Sequence, residues 1–371
     1  MPPVDGTGAN GVCLLGEAYG KHEAARNTPF VGPAGFRLER MVQMLGARRQ
    51  DFLITNTVWH QPPGNREPTE VEVEAYRERW EGAIRASGVK VVVPLGNVPL
   101  RAVLGHWGIQ GRRGYLEWSS HLDCWVLPTV HPSFIMRGNA NWTAAWLRDV
   151  GTALQVAQDG PPALPRRELT LDPPSDIAAS WGQQWVIAGH PPLAADIETP
   201  DKSDDEEENE LQAAGAVSGT INRVGLAYRC HQTTFALSIP WGAAYTDVAR
   251  SLLVRAPTAL VWNRHFDLPR LRAHNVIATC WHDVQEMWHV LYTDLKKSLE
   301  FAAPFLVPAQ PYWKDQAYQR PAYYNAIDAA ITAEGYEVLW GRGLSGGILL
   351  PKQPELPAVD KSHEQSDFVP F

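Results

Sequence analysis

Asp196 and Glu198 stand two residues apart in DIET, at the end of the apolar run Leu193–Ile197. Residues i and i+2 of a strand share a face, so both carboxylates point to one side. Two such charges repel unless they hold cations. Asp267 follows a second apolar run, Ala259–Trp262, within NRHFDLPRL. Further along, YYNAID sets Tyr324 and Asp328 four residues apart, on one face of a helix. Singly, each acid reads as a cap or a surface charge. Four acids and a tyrosine beside the ends of short apolar elements point to a cation-binding site.

The first half carries four more segments at or just after strand ends. They are GEAYG (16–20) with TPFVGPAG (28–35), TNTVWHQPPGNREP (55–68), LGN (95–97) and PTVHPSFIMRG (128–138). Each alone is common, and a lone histidine in a turn is most often structural. Their order and spacing carry the signal.

The elements that must position these residues alternate. Val12–Leu15, Phe52–Thr55, Val89–Pro94 and Cys124–Leu127 are apolar, bounded by turn residues, and read as buried strands. Phe36–Leu45, Glu70–Ala86, Val98–Leu104 and Trp142–Val156 read as amphipathic helices. Such alternation predicts a mostly parallel sheet with helices on both faces, which binds ligands at the carboxyl ends of its strands. The Pro-, Gly- and charge-rich stretch GPPALPRRELTLDPP reads as a linker. A second α/β unit starts with the strands Trp185–Ala188 and Leu193–Ile197. Val224–Tyr228 and Thr233–Leu237 form an antiparallel pair, and Ala259–Trp262 is another strand. Helices follow at Leu268–His274, Val284–Leu291, Leu295–Ala303 and Ala322–Leu339. The expected boundaries are 1–158, a linker 159–184, 185–343 with an acidic insertion at 201–219, and a polar tail 344–371.

The 371 residues suit two domains, and 44% hydrophobic content excludes a disordered chain. The net charge of −8 argues against a nucleic-acid partner only until it is divided. Residues 1–158 hold 16 Lys and Arg against 14 Asp and Glu; the remainder holds 17 against 27, much of the excess in Asp201–Glu210. That run reads as a solvated loop. No apolar run reaches the length of a membrane span, and no signal sequence is visible. Cys13, Cys124, Cys230 and Cys280 form no CxxC pair, which argues against disulfides and four-cysteine metal sites. A cytoplasmic protein without a membrane partner is expected.

Over about residues 10–157 the chain resembles the uracil-DNA glycosylase superfamily, in its family-4-like branch. GEAYG is similar to that branch's GE[AG]PG motif, and PFVGPAG, TN…PPGNRxP and HPS also match. The resemblance implies a three-layer α/β/α parallel-sheet domain that flips uracil out of DNA. Phe30 would stack on the base, and Asn56 would pair with its polar edge. Glu17 would stabilise the sugar cation and position water, and His131 would donate to the departing uracil anion. Phe134 and Ile135, with Met136, would wedge into the vacated stack, the other reading being core packing. Arg66 and Arg137 would contact phosphates. Two departures stand out. Tyr19 replaces the family's usual proline. The family's iron–sulfur CxxC is missing, with His60 where a cysteine is expected, so no cluster is expected.

Over about residues 185–341 the chain resembles the tyrosine-bearing DEDD 3′–5′ exonucleases, nearest to the proofreading domain of family-A DNA polymerases. A ribonuclease-H-like α/β domain is implied, with two Mg²⁺ or Mn²⁺ ions held by Asp196, Glu198, Asp267 and Asp328. Asp196 would bridge the ions and Asp267 would bind mostly through water. Tyr324 would orient the attacking water, and Asn263 and Phe266 would touch the 3′-terminal nucleotide.

The combination is phage-like, so the host cytoplasm is the expected location if the source is a phage. The main reading is a bifunctional enzyme acting on uracil-containing DNA and on 3′ ends, with a separate DNA polymerase as partner. Two others stay open: an exonuclease whose first half is a weak glycosylase serving as a uracil or DNA sensor, and a non-catalytic polymerase accessory protein. Uracil release by Glu17 and Asn56 variants separates the first, and metal-dependent nuclease activity the second.

Overall fold

The computed structural model describes residues 3–200 and 220–344; the acidic insertion and the tail lie outside them. In the first half, strands β1 (Val12–Ala18), β2 (Leu53–Val58), β3 (Val91–Pro94), β4 (Glu117–Ser119) and β5 (Cys124–Val126) form one sheet in the order β2-β1-β3-β5-β4. All pairings are parallel except β4 with β5. The alternation of β1 divides its side chains between two layers. Val12 and Leu14 pack with Trp146, Val150 and Ala153 of the helix Thr143–Asp159. Cys13 and Leu15 pack with Trp80 and Ile84 of the helix Glu70–Ser87. That second helix is fixed at both ends. Thr69 and Glu72 form a capping box, and Gly88 closes it at a positive φ of 67°.

The second half has a six-stranded sheet of β6 (Arg166–Leu171), β7 (Leu193–Glu198), β8 (Arg223–Cys230), β9 (Thr233–Pro240), β10 (Ala259–Val261) and β11 (Trp281–Asp283). The order is β11-β10-β7-β8-β9-β6, with β8 antiparallel to both neighbours. This is the ribonuclease-H-like α/β arrangement with one strand added at the edge. Leu193, Ala195 and Ile197 pack beneath Trp181 and Trp185 of the helix Ser175–Ile187. The opposite face carries Asp196 and is covered by the helix Pro321–Leu344. Gly225 lets that helix approach, because a Cβ there would lie 2.7 Å from the Asn325 carbonyl oxygen.

Two expectations fail. The stretch 159–184 is not a free linker: it contains β6, paired along its length with β9, and most of a helix. Its charges belong to an edge strand, where charge is common; Arg167 pairs with the buried Glu334. Trp185–Ile187 closes that helix and is not a strand.

The two halves share one hydrophobic core. Trp142 packs edge-on against Phe301, with ring centroids 5.1 Å apart. Beside them Arg113 and Asp149, both almost fully buried, form a bidentate ion pair. Arg113 also donates to the Phe301 carbonyl at 3.2 Å, and Thr129 Oγ1 donates to Asp149 at 2.8 Å. Arg113→Leu takes the bidentate partner from buried Asp149 and leaves it, for a cation, only the 3.3 Å contact with Arg148, so a loss of about 3 kcal/mol of stability is expected. Urea unfolding measures it, and a loss below about 1 kcal/mol would mean that Arg148 takes over the pairing.

Candidate active sites

The first site is built where β1, β2 and the loop after β5 end. Gly16 pairs in register with Asn56, so adjacent strands deliver Glu17 and Asn56 together. Gly16 is required: an added Cβ would strike Asn56 Oδ1 and lie 2.6 Å from the Phe30 ring. Phe30 sits at a positive φ of 53°, a strained conformation for an aromatic residue. Glu23 holds it there, its Oε1 accepting from the backbone N–H groups of Val31 at 3.0 Å and Gly32 at 2.7 Å. Phe30 stacks on His131, with centroids 5.5 Å apart and planes 30° apart. Asn56 is 2% exposed, and its Oδ1 has no hydrogen-bond partner within the protein.

His131 caps the short helix Pro132–Met136. Its Nδ1 accepts from the Ser133 N–H at 3.1 Å. A backbone N–H can only donate, so Nδ1 is unprotonated and the neutral ring carries its proton on Nε2. Burial, helped by the charge of Arg137, pushes the imidazole down to about 4. Burial also raises the Glu17 carboxyl; nearby Glu67 adds to this and Arg137 opposes it. Arg137 is exposed and faces both groups electrostatically.

Not every expected residue joins this site. Ile135 is 1% exposed and belongs to the core, so it cannot wedge into DNA. Phe134 is half-buried, edge-on to Trp142 at 5.1 Å. The exposed apolar residues nearby are Met136 and Phe36, at 47% and 64%. Arg66 is not a free phosphate contact, because both its terminal nitrogens bond Glu72, at 2.7 and 2.9 Å. The same carboxylate meets His60 at 3.1 Å. Tyr19 is buried, its hydroxyl without a partner in the protein.

The second site lies in a cavity of about 490 Å³ at the end of β7. Carboxylate oxygens of Asp196, Glu198 and Asp328 come within 4.8 Å of one another. Asp267, 5% exposed, lines the same cavity outside that cluster. Burial, then the neighbouring carboxylates, raises Asp196 and Asp267 far above the ordinary range and Glu198 to about 7. Converging hard oxygen donors that resist ionisation beside one another fit a divalent cation. Among the described residues the cysteines form no such group.

Three residues to which the sequence gives no role orient the acids. Asn325 Nδ2 donates to Asp196 Oδ2 at 2.8 Å, and Asn325 Oδ1 accepts from Ser238. Trp313 Nε1 donates to Asp328 Oδ1 at 2.6 Å. Lys314 Nζ lies 2.8 Å from both Asp328 Oδ2 and the Tyr324 hydroxyl. Burial opposes the Lys314 charge, but Asp328 and Tyr324 outweigh it and raise its pKa. Asn263 precedes the helix Arg264–Ala273 and lines the cavity with Phe266. Arg270 covers one face of the Phe266 ring at 3.8 Å.

The profile of the uracil DNA glycosylase superfamily matches residues 4–154. The type-4 uracil-DNA glycosylase of Thermotoga maritima is 32% identical over 133 residues, covering 35% of this chain and 68% of that protein. The chain belongs to the uracil-DNA glycosylase superfamily. Type-4 uracil-DNA glycosylases of Sulfurisphaera tokodaii and Archaeoglobus fulgidus are 31% and 40% identical. The chain spans 63% and 43% of their lengths, and they match 35% and 23% of it. Among solved structures, the RNase domain of yeast Pop2 superposes with a TM-score of 0.33 at 9% identity, covering 48% of this chain and 87% of that domain. Escherichia coli RNase D superposes at 0.29 with 14% identity, covering 50% and 47%. Likeness at such scores assigns nothing to the second half, which has its own strand order and carboxylate cluster. Superfamily membership supports a DNA-processing enzyme. Among the described residues no helix is long and apolar enough to cross a membrane.

Proposed function

We propose that this member of the glycosylase superfamily has two hydrolytic sites on DNA: one releases uracil, and the other trims 3′ ends. The observation that carries the first is Asn56 Oδ1, buried and unpartnered beside the Phe30 ring. A buried acceptor without a donor costs about 1–3 kcal/mol, so it calls for a ligand with a matching N–H. Uracil N3–H is such a donor, and the amide Nδ2 can serve O4. Phe30 supplies the stacking face. As the N-glycosidic bond breaks, the electron pair leaves with the base. The Nε2–H of neutral His131 donates to that developing anion, and the Glu17 carboxylate stabilises the sugar cation and orients water. Arg137 serves as a phosphate contact at the mouth of the site.

For the second site, Asp196, Glu198 and Asp328 would hold divalent cations, with Asp267 acting through water. Two Mg²⁺ or Mn²⁺ ions there would supply charge stabilisation to the attacking and leaving oxygens. Tyr324 places its hydroxyl at the cluster, and Lys314 occupies one of that oxygen's lone pairs, leaving the O–H to orient water. Asn263 and Phe266 receive the terminal nucleotide. A separate DNA polymerase is the partner this trimming activity would serve.

A 5′-labelled single strand with one uracil tests both. In EDTA, alkali should cleave it once, at uracil. Mg²⁺ should add a ladder of 3′-shortened products. A ladder without the uracil cut would replace the first reading by a uracil sensor, and neither product would leave a binding protein.

The pH profile of uracil release follows from the two shifts. His131 stays neutral above about pH 4, so no inflection is expected near pH 6.5. Glu17 must be ionised, and its pKa is raised above 4.5. Release should therefore climb through an acid limb above that value and then stay level to pH 8. A fall between pH 6 and 7.5 would show that protonated His131 is needed.

A further inference from the structure

We propose that Trp313 is a positioning residue for Asp328 and that Arg112 and Tyr115, from the glycosylase half, hold it in place. The proposal rests on the reading of Asp196, Glu198 and Asp328 as a metal site. Residues 312–315 lie between the halves. Toward the first half, the Tyr312 ring lies 4.1 Å beneath the Arg112 guanidinium and edge-on to Tyr115 at 5.2 Å. Asp315 pairs with Arg112 at 3.2 Å, and the Trp313 ring meets Tyr115 at 6.0 Å. Toward the carboxylates, the Trp313 indole N–H bonds Asp328 Oδ1 and Lys314 bonds Asp328 Oδ2 and Tyr324. The Tyr115 hydroxyl closes the frame by donating to the Glu300 carbonyl at 2.6 Å.

Trp313 and Asp328 are 1% and 4% exposed, so water does not compete for their bond. A neutral N–H donor fixes the direction of a carboxylate and keeps its charge, which is the role outer hydrogen-bond partners play for metal ligands. The hydrogen bonds of Arg112 and Tyr115 go to Asp315 and the Glu300 carbonyl, not to the acids. They act by clamping the short segment whose other side touches them. The metal site of the second half is thus braced, through residues 312–315, by Arg112 and Tyr115 of the first.

The test uses the full chain. Mn²⁺ binding is followed by the electron paramagnetic resonance of the free ion, beside uracil release in EDTA and trimming in Mn²⁺. Trp313→Phe keeps a ring and removes the donor. It should raise the half-saturating Mn²⁺ concentration about tenfold, within the 10–100-fold cost known for lost outer partners. Uracil release should stay within about twofold, which reports an intact shared core. Tyr115→Leu should shift Mn²⁺ binding in the same direction by a smaller factor. Unchanged Mn²⁺ binding by Trp313→Phe, or no Mn²⁺ binding by the wild type, overturns the proposal. Unchanged binding by Tyr115→Leu overturns the part given to the first half. Wild-type protein that binds Mn²⁺ and trims nothing defeats the exonuclease reading alone, and Mn²⁺ binding still decides the role of Trp313.

Discussion

Asp196→Asn is expected to lower 3′-end trimming by about a thousandfold, some 4 kcal/mol of transition-state stabilisation, and to leave uracil release in EDTA unchanged. The side chain sits at the end of β7 between Glu198 and Asp328, and no other described carboxylate takes its place. Asparagine preserves its shape and its contact with Asn325, so the loss isolates the charge. The two activities are read on one labelled strand, by ladder intensity in Mg²⁺ and by the alkali-dependent cut in EDTA. Trimming within tenfold of wild type would remove Asp196 from the metal site. Simultaneous loss of uracil release would mean that the substitution damages the fold.

Asn56→Ala is the complementary case. It should lower single-turnover uracil release by about 10²–10³-fold, the cost of one well-placed polar group in a buried site, and spare trimming. The cavity left behind costs stability as well, so release is measured at saturating enzyme, well below the unfolding temperature. A change in release below about threefold, under 1 kcal/mol, would show that the base is not read by this amide, and the sensor reading would then gain ground.

What was legible in the sequence is what chemistry restricts to a few residue types. DIET, YYNAID and HPS fall at the ends of strands or on one helix turn, where local periodicity already fixes the geometry. The strands around them were legible for the same reason, since VCLL and VVVP can only be buried. What escaped depends on contacts distant in sequence. Glu23 reads as an ordinary helical acid until the loop 30–32 folds over it. Asn325 lies inside a recognised motif, yet its partner Asp196 is 129 residues away. Trp313 and Lys314 stand in a stretch with no periodicity, and only their bonds to Asp328 give them a task. The linker expectation fails for the same reason: charge fills β6 and prolines flank it, but its pairing with β9 is a tertiary fact. Ile135 follows a turn motif that suits a surface wedge, yet packing against the core buries it.

The buried Arg113–Asp149 pair and the Trp142–Phe301 contact also bear on how the chain is inherited and handled. Because both halves close over the same apolar interior, each is expected to lose stability when expressed without the other. Separate expression of residues 1–158 would strip the cover from Trp142 and Asp149 and invite aggregation. A damaging change at Trp146 would lower the folded population and so depress both reactions together. Selection therefore sees one trait where the chemistry has two.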